Sequence, residues 1–271
     1  MSNSICHCGA ESLTEEIMEV YSAVRGLKDN EIYQDTSNRL RAVFQRLDAL
    51  IARDIGDKRA EEILYHSRFN STFDTISRFR SMYTAKLEIE HAKSILKSGD
   101  PWEALRNFAY FTNYLQLART EYEGSRLTPG DCVLFLGSGP LPLSLIVLCH
   151  QYGLRGIGIE QEPERAALSR RVLEKLRLSD QITIITGNHF TLPLKEKSEL
   201  VMVAAQAEPK KAIFDHLATV LPEGTKISYR IYEKGLRKLL DTFSRYDLPE
   251  RLEEYLRVRP KPPANNTVVF L

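Results

Sequence analysis

The stretch VLFLGSGPLPLS, residues 133–144, decides the fold. It opens as a short apolar run, turns at two glycines and becomes apolar again. That is the order of a buried strand, a tight turn and a helix. Glycine at such a corner leaves backbone N–H groups bare beside a helix N-terminus, where a ligand can approach. Short β-rich runs recur outward from it at Cys132–Leu136, Gly156–Glu160, Ile182–Thr186, Leu200–Ala204, Lys226–Ile231 and Thr267–Leu271. Helical patterns at about 141–152, 163–176 and 209–220 fall between them. Continuous apolar strands alternating with helices imply a parallel sheet covered on both faces.

The turn itself reads Gly137-Ser138-Gly139-Pro140, and Pro142 stands where a full dinucleotide fingerprint would have its third glycine. About twenty residues on, the second strand ends in GIGIEQEP, which sets Glu160 at its tip to bond two ribose hydroxyls. Strand, turn, helix, strand and acid in register point to a nucleoside ligand. The short turn suits S-adenosylmethionine better than a pyrophosphate. The third strand is followed by Asn188, placed to meet the adenine edge. The fourth ends in VAAQAEPKK, with Ala205 expected on the ligand side. That loop lacks the Asp/Asn-Pro-Pro-aromatic signature of many base-modifying methyltransferases. The acid Glu208 before Pro209 reads as a cap for the following helix.

Before LTPGD at 127–131 the chain reads as helices. SLTE at 12–15 is a capping box with Ser12 as N-cap, followed by Ile17, Val20, Tyr21 and Val24 at helical spacing. Leu40 to Ile51 mark a second helix, Lys58 to Tyr65 a third, and Phe73 to Lys97 a long fourth that stops at Gly99. GDPWEAL then offers Asp100 as N-cap, Pro101 at the first position and Glu103 to complete the box. A fifth helix carries Leu105, Phe108, Phe111, Leu115 and Leu117. The expectation is therefore an α/β protein: an N-terminal helical bundle at 1–126, then a Rossmann-like, class I S-adenosylmethionine-binding domain at 127–271.

Charge narrows the partners. The 271 residues hold 37 basic and 36 acidic side chains, so no basic field argues for nucleic acid. No basic run argues for a membrane surface, no apolar stretch is long enough to span one, and the start has no signal-peptide pattern. A cytoplasmic location is expected. Cys132 and Cys149 fall in apolar runs and read as buried thiols. Cys6, His7 and Cys8 cluster tightly, but adjacent residues rarely close a tetrahedral site alone, so no resident metal is expected.

Several blocks resemble the nicotianamine synthases, especially the shorter archaeal and bacterial forms. They are KLEIEHAKSILKSGDPWEALRNFAYFTNYLQL, VLFLGSGPLPLS, VMVAAQAEPKKAIF, ISYRIY and PANNTVVF. The resemblance implies the same two-part fold. It also implies that an amine attacks the methionine side of the sulfonium, so that an aminobutanoyl (3-amino-3-carboxypropyl) group moves and methylthioadenosine leaves. The family's catalytic glutamate falls on Glu88 and its catalytic tyrosine on Tyr114. Such a step needs a neutral amine, whereas an α-amino group is mostly protonated near pH 7. A buried carboxylate can take that proton. Helical spacing places Glu88 with His91 and Ile95 beside the apolar stripe. Tyr114 would orient base or amine, and His91 is the weaker candidate for the substrate pocket.

Arg230 at a strand tip is a natural bidentate partner for a substrate carboxylate. Tyr232 follows it, and Asn265 and Asn266 precede the last strand, Asn266 being the acceptor-pocket candidate. The region 241–264, charged and then proline-rich, departs from the family pattern and leaves the acceptor open. The expected partner is a small-molecule amino-acid acceptor, with a homodimer left open. Glutamate, a second aminobutanoyl unit or histidine could accept, the last as in opine-metallophore synthesis. An ordinary small-molecule methyltransferase and a non-catalytic binding protein are the competing readings.

Overall fold

Strand β1 (Cys132–Leu136) lies inside a seven-stranded sheet. The computed structural model describes residues 4–65, 72–193, 197–241, 247–259 and 261–271. Within them β1 is joined by β2 (Arg155–Glu160), β3 (Ile182–Thr186), β4 (Leu200–Val203), β5 (Lys226–Ile231), β6 (Leu256–Val258) and β7 (Thr267–Phe270). The order across the sheet is β3-β2-β1-β4-β5-β7-β6. β1 to β5 run parallel, and β7 is antiparallel to both its neighbours. The direction of winding reverses between β1 and β4. In a Rossmann-like sheet that is where the carboxyl ends part to leave a ligand crevice.

The helices are α1 (Ser4–Val24), α2 (Asp29–Gln34), α3 (Asn38–Ile51), α4 (Asp57–Leu64), α5 (Thr72–Lys97), α6 (Pro101–Arg106), α7 (Phe111–Gly124), α8 (Leu143–Tyr152), α9 (Pro163–Leu176) and α10 (Lys210–Val220). α8 is apolar all round and buried from Leu143 to Cys149, as a helix between sheet and outer helices must be. Its close approach depends on Gly156 of β2. A Cβ there would stand 3.0 Å from the Cys149 sulfur and 3.1 Å from Leu145.

The strands match the sequence reading to within a residue, except β6. That strand has three residues and a largely exposed pattern, so no apolar run announces it. It lies in the charged, then proline-rich region 241–264 that departs from the family pattern. Two helical expectations change. α1 begins at Ser4, so Ser12 sits inside it rather than capping it. Cys6, His7 and Cys8 fall in its first turns, with side chains outside the described residues. The fifth helix is two, α6 and α7, parted at residues 107–110. There Phe108 N–H turns to the carbonyl of Leu105 at 3.2 Å, while His91 Nε2 takes the carbonyl of Ala104 at 2.8 Å. That carbonyl also accepts from Asn107 N–H at 3.2 Å, so the last turn of α6 tightens to i−3 bonds.

The chain divides into two units, Met1–Lys86 with Tyr232–Thr242, and Leu87–Ile231 with Phe243–Leu271. In this division the end of α5 and all of α6 and α7 fall with the sheet, whereas the sequence pattern changes at 126/127. Periodicity shows that a helix has a buried face but not what covers it. In the first unit Phe44 lies 4.6 Å from Tyr83 and 6.5 Å from Phe79, ring to ring. Lys86 Nζ reaches the carbonyls of Asp35 at 2.6 Å and Tyr33 at 3.3 Å. A 3₁₀ turn at Gly235–Leu240 returns to α4, where Gly235 N–H donates to Asp57 Oδ1 at 2.8 Å.

In the second unit α7 packs on α8 and β7. Gly124, the last residue of α7, faces the ring of Phe270, and an added Cβ would lie 2.3 Å from its Cζ. Alanine normally stabilises a helix by up to about 1 kcal/mol over glycine. Here Phe270 is fully buried and cannot retreat, so overpacking wins. Gly124→Ala is expected to lower stability by about 1–3 kcal/mol, read as a lower midpoint in urea unfolding.

Candidate active site

The corner after β1 is built as its glycines require. Gly137 has φ +77° and Gly139 φ +75°, both in the left-handed region. Space forbids a side chain as well. A Cβ on Gly137 would stand 3.1 Å from Ala207 Cβ and 3.2 Å from Ala204 Cβ, and one on Gly139 3.1 Å from Glu88 Oε2. The N–H groups of Gly137 and Ser138 both point to the carbonyl of Ile159, at 2.9 and 3.1 Å, which ties the corner to the end of β2. Pro140 is buried beneath it.

Glu160 closes β2 almost fully buried. Its Oε2 accepts from Gly139 N–H at 3.0 Å and its Oε1 from Glu162 N–H at 2.9 Å. Each oxygen keeps a lone pair for a further donor. Asn188, after β3, turns its Oδ1 onto Phe190 N–H at 3.0 Å and so caps the short turn His189–Thr191. The Ser138 hydroxyl, over Gly158 of β2, is buried with no partner.

Glu88 reaches this corner from α5. It shares a face with Ala92 and Ile95, both fully buried, and is itself half-buried. Tyr114, near the start of α7, donates its hydroxyl to Glu88 Oε1 at 2.9 Å. The carboxylate thus has one oxygen on a phenol and the other against Gly139, whose N–H holds Glu160. Acid, phenol, glycine corner and second acid form one unbroken chain of contacts. A carboxylate held this way can receive a proton beside whatever ligand the corner binds.

Four other candidates stand apart from this chain of contacts. Arg230 is 4% exposed and finds its bidentate carboxylate within the protein. Its Nε and Nη2 donate to Glu121 at 2.8 and 2.7 Å, and Nη2 also reaches Ser144 Oγ at 2.7 Å. His91, committed to Ala104 and lying 4.8 Å from the Phe108 ring, is a strut between α5 and α6. Tyr232 is buried and belongs to the first unit. Asn266 is 5% exposed, and its Nδ2 has no partner, which leaves a buried donor at the head of β7. Its neighbour Asn265 donates N–H to Asn113 Oδ1 on α7 at 3.0 Å.

One residue the sequence did not single out shapes the site. Lys210, at the start of α10, is 1% exposed. Its ammonium donates to the carbonyls of Ala204 and Ala205 at 2.8 Å and Ala207 at 2.6 Å. It therefore pins the loop after β4, including Ala205, into the hollow left by Gly137. Glu208 accepts from Lys210 N–H at 3.0 Å, as expected of a cap. In a sequence, a lysine after Glu-Pro reads as solvent-facing.

A sheet of this order, with a bare corner after its first strand and an acid closing its second, defines a Rossmann-like protein. The acid–phenol pair set against the corner narrows it further. The chain belongs to the nicotianamine synthase family, whose description "Nicotianamine synthase protein" matches residues 6–271. It is similar to nicotianamine synthase 3 of Oryza sativa subsp. indica, 30% identical over 158 residues, 53% of this chain and 46% of that protein. It is also similar to the L-histidine 2-aminobutanoyltransferase of Yersinia pestis, 26% identical over 136 residues, 49% of each. The chain spans about half the length of the curated relatives it matches. Among solved structures, MtNAS in complex with MTA and tNA superposes with a TM-score of 0.82 at 32% identity, covering 94% of this chain and 96% of that one. A glutamate-to-glutamine mutant of MtNAS in complex with S-adenosylmethionine gives 0.80 at 30%, covering 95% and 96%.

His91 carries a pH signature. Burial pulls its pKa below the ordinary histidine value, against the opposing carbonyl bonds from α6. The unfolded chain therefore takes the proton first as pH falls. The stabilising contribution of His91 is whole above the unfolded value of about 6.5 and is lost as pH drops through the folded one. His91→Gln is expected to flatten the fall in unfolding midpoint between about pH 7 and pH 5, measured by urea titration at each pH.

Proposed function

We propose that this protein transfers the 3-amino-3-carboxypropyl group of S-adenosylmethionine to the amine of a small amino-acid acceptor. The single observation that carries the reading is the Tyr114–Glu88 hydrogen bond set against Gly139. Methyl transfer to an amine would shed the same proton, so the choice of the methylene carbon over the methyl rests on membership of the nicotianamine synthase family. A purely binding protein needs no paired acid and phenol there.

Glu160 and the corner at Gly137–Gly139 hold the nucleoside. Asn188 presents its amide N–H₂ to adenine, since its oxygen is already engaged. The acceptor nitrogen attacks the methylene carbon on the methionine side of the sulfur. The new C–N bond takes the nitrogen lone pair, the C–S bond breaks toward sulfur, and methylthioadenosine leaves neutral. The nitrogen's surplus proton goes to Glu88, which Tyr114 orients through Oε1. Asn266, with its unmatched buried donor, suits a carboxylate of the acceptor.

The product is a nicotianamine-like metallophore on this reading. The similarity to MtNAS over nearly the whole chain favours it, while the histidine aminobutanoyltransferase keeps single transfer to histidine as the second reading. One incubation with S-adenosylmethionine and a panel of amino acids separates them by mass spectrometry. Methylthioadenosine must accumulate; S-adenosylhomocysteine in its place makes the protein a methyltransferase. A histidine adduct of one unit selects the second reading.

Glu88→Gln keeps the shape and removes the base. We expect kcat to fall by about 10²–10⁴-fold, with donor affinity near that of the unaltered protein, and Tyr114→Phe to give a smaller loss. Glu160→Ala should act on binding instead. Donor Kd in calorimetric titration should rise roughly 10- to 100-fold, the worth of hydrogen bonds to a charged group.

A further inference from the structure

We infer that Arg230 is a positioning residue for the acid–phenol pair, acting through Tyr114 from beneath; the inference rests on the proposed roles of Glu88 and Tyr114. Arg230 sits on β5 with its guanidinium carbon 6.0 Å from the centroid of the Tyr114 ring and 5.5 Å from that of Phe135. Tyr114 in turn donates to Glu88. The guanidinium cannot swing away. Glu121 holds it in a bidentate pair and Ser144 takes a third bond. Glu121 lies seven residues after Tyr114 on α7, two turns along the same face, so one ion pair fixes both the cation and the helix that carries the phenol.

The pair is a poor stability device. Arg230 and Glu121 have side chains only 5% and 1% exposed. Two charges so deep lose nearly all their hydration, and jointly replacing such a pair with apolar residues is often neutral for stability. Its placement beside the ring has a chemical use instead. A cation near an aromatic ring draws on its electron density and makes the phenol a better hydrogen-bond donor. The donor is then held on Glu88 Oε1, leaving Oε2 toward the corner for the proton. Sequence reasoning assigned Arg230 to a substrate carboxylate; in the structure its effect on the reaction runs through a side chain.

The test is a double-mutant cycle with kcat and donor KM as readouts. Glu121→Leu with Arg230→Met removes both charges together and avoids stranding either. In the Tyr114 protein, kcat should fall roughly 3- to 30-fold, the range of a desolvated cation–π contact, with donor KM unchanged. In the Tyr114→Phe background the same replacement should alter kcat less than about twofold, because the phenol it serves is gone. Equal losses in both backgrounds, or no loss in the first, overturn the inference. If the joint replacement does not fold by circular dichroism, Ser144→Ala loosens the guanidinium alone and is put through the same cycle with the same outcomes. Glu88→Gln is assayed alongside. If it turns over normally, the proposed function fails. If it is dead while the cycle is additive, only the role of Arg230 fails.

Discussion

The 2.9 Å hydrogen bond from Tyr114 to Glu88 is the contact on which the site depends. It joins two residues 26 positions apart on different helices and sets a carboxylate against the bare backbone of Gly139. Everything around it serves that meeting. Gly139 must lack a Cβ so that Glu88 can come close, and its N–H must point the other way to hold Glu160. α6 ends at Arg106, with His91 on the carbonyl of Ala104, and α7 starts afresh with Tyr114 in its first turn. The buried pair of Arg230 and Glu121 then fixes α7 to β5.

The fold was largely legible because its strands are fully buried. An apolar run bounded by glycine or a charged turn admits few other readings, and β1, β3 and β5 fall where the pattern places them. β6 escaped because two of its three residues are exposed and it owes its existence to pairing with β7. The division into units is a different matter. α6 and α7 have good amphipathic patterns, but a pattern names a buried face and never its partner. In this chain the partner of α7 is the sheet side, through Gly124 against Phe270 and Glu121 against Arg230.

The site shows the same division. Glu88, Tyr114, the glycine corner and Glu160 were legible, two from a family resemblance and the rest from strand-turn-helix order, and the structure brings the four together. Arg230 was chosen for sound chemistry, since a guanidinium at a strand tip wants a carboxylate. Which carboxylate is a question of distance in space, and Glu121 stands 109 residues away in sequence. Lys210 gave no signal at all. A lysine becomes a buried strut only when three carbonyls converge on it, and that convergence is a property of the folded loop.

That strut has a wider consequence. An ammonium clasped by three peptide oxygens turns the segment after β4 into a fixed wall, because any swing outward would strand a cation in a dry interior. The nucleoside side of the crevice is thereby frozen in outline. The wall is thus set by main-chain oxygens, whereas the helices that carry Glu88, Tyr114 and Asn113 shape the site through side chains, which a substitution can alter without releasing that clasp.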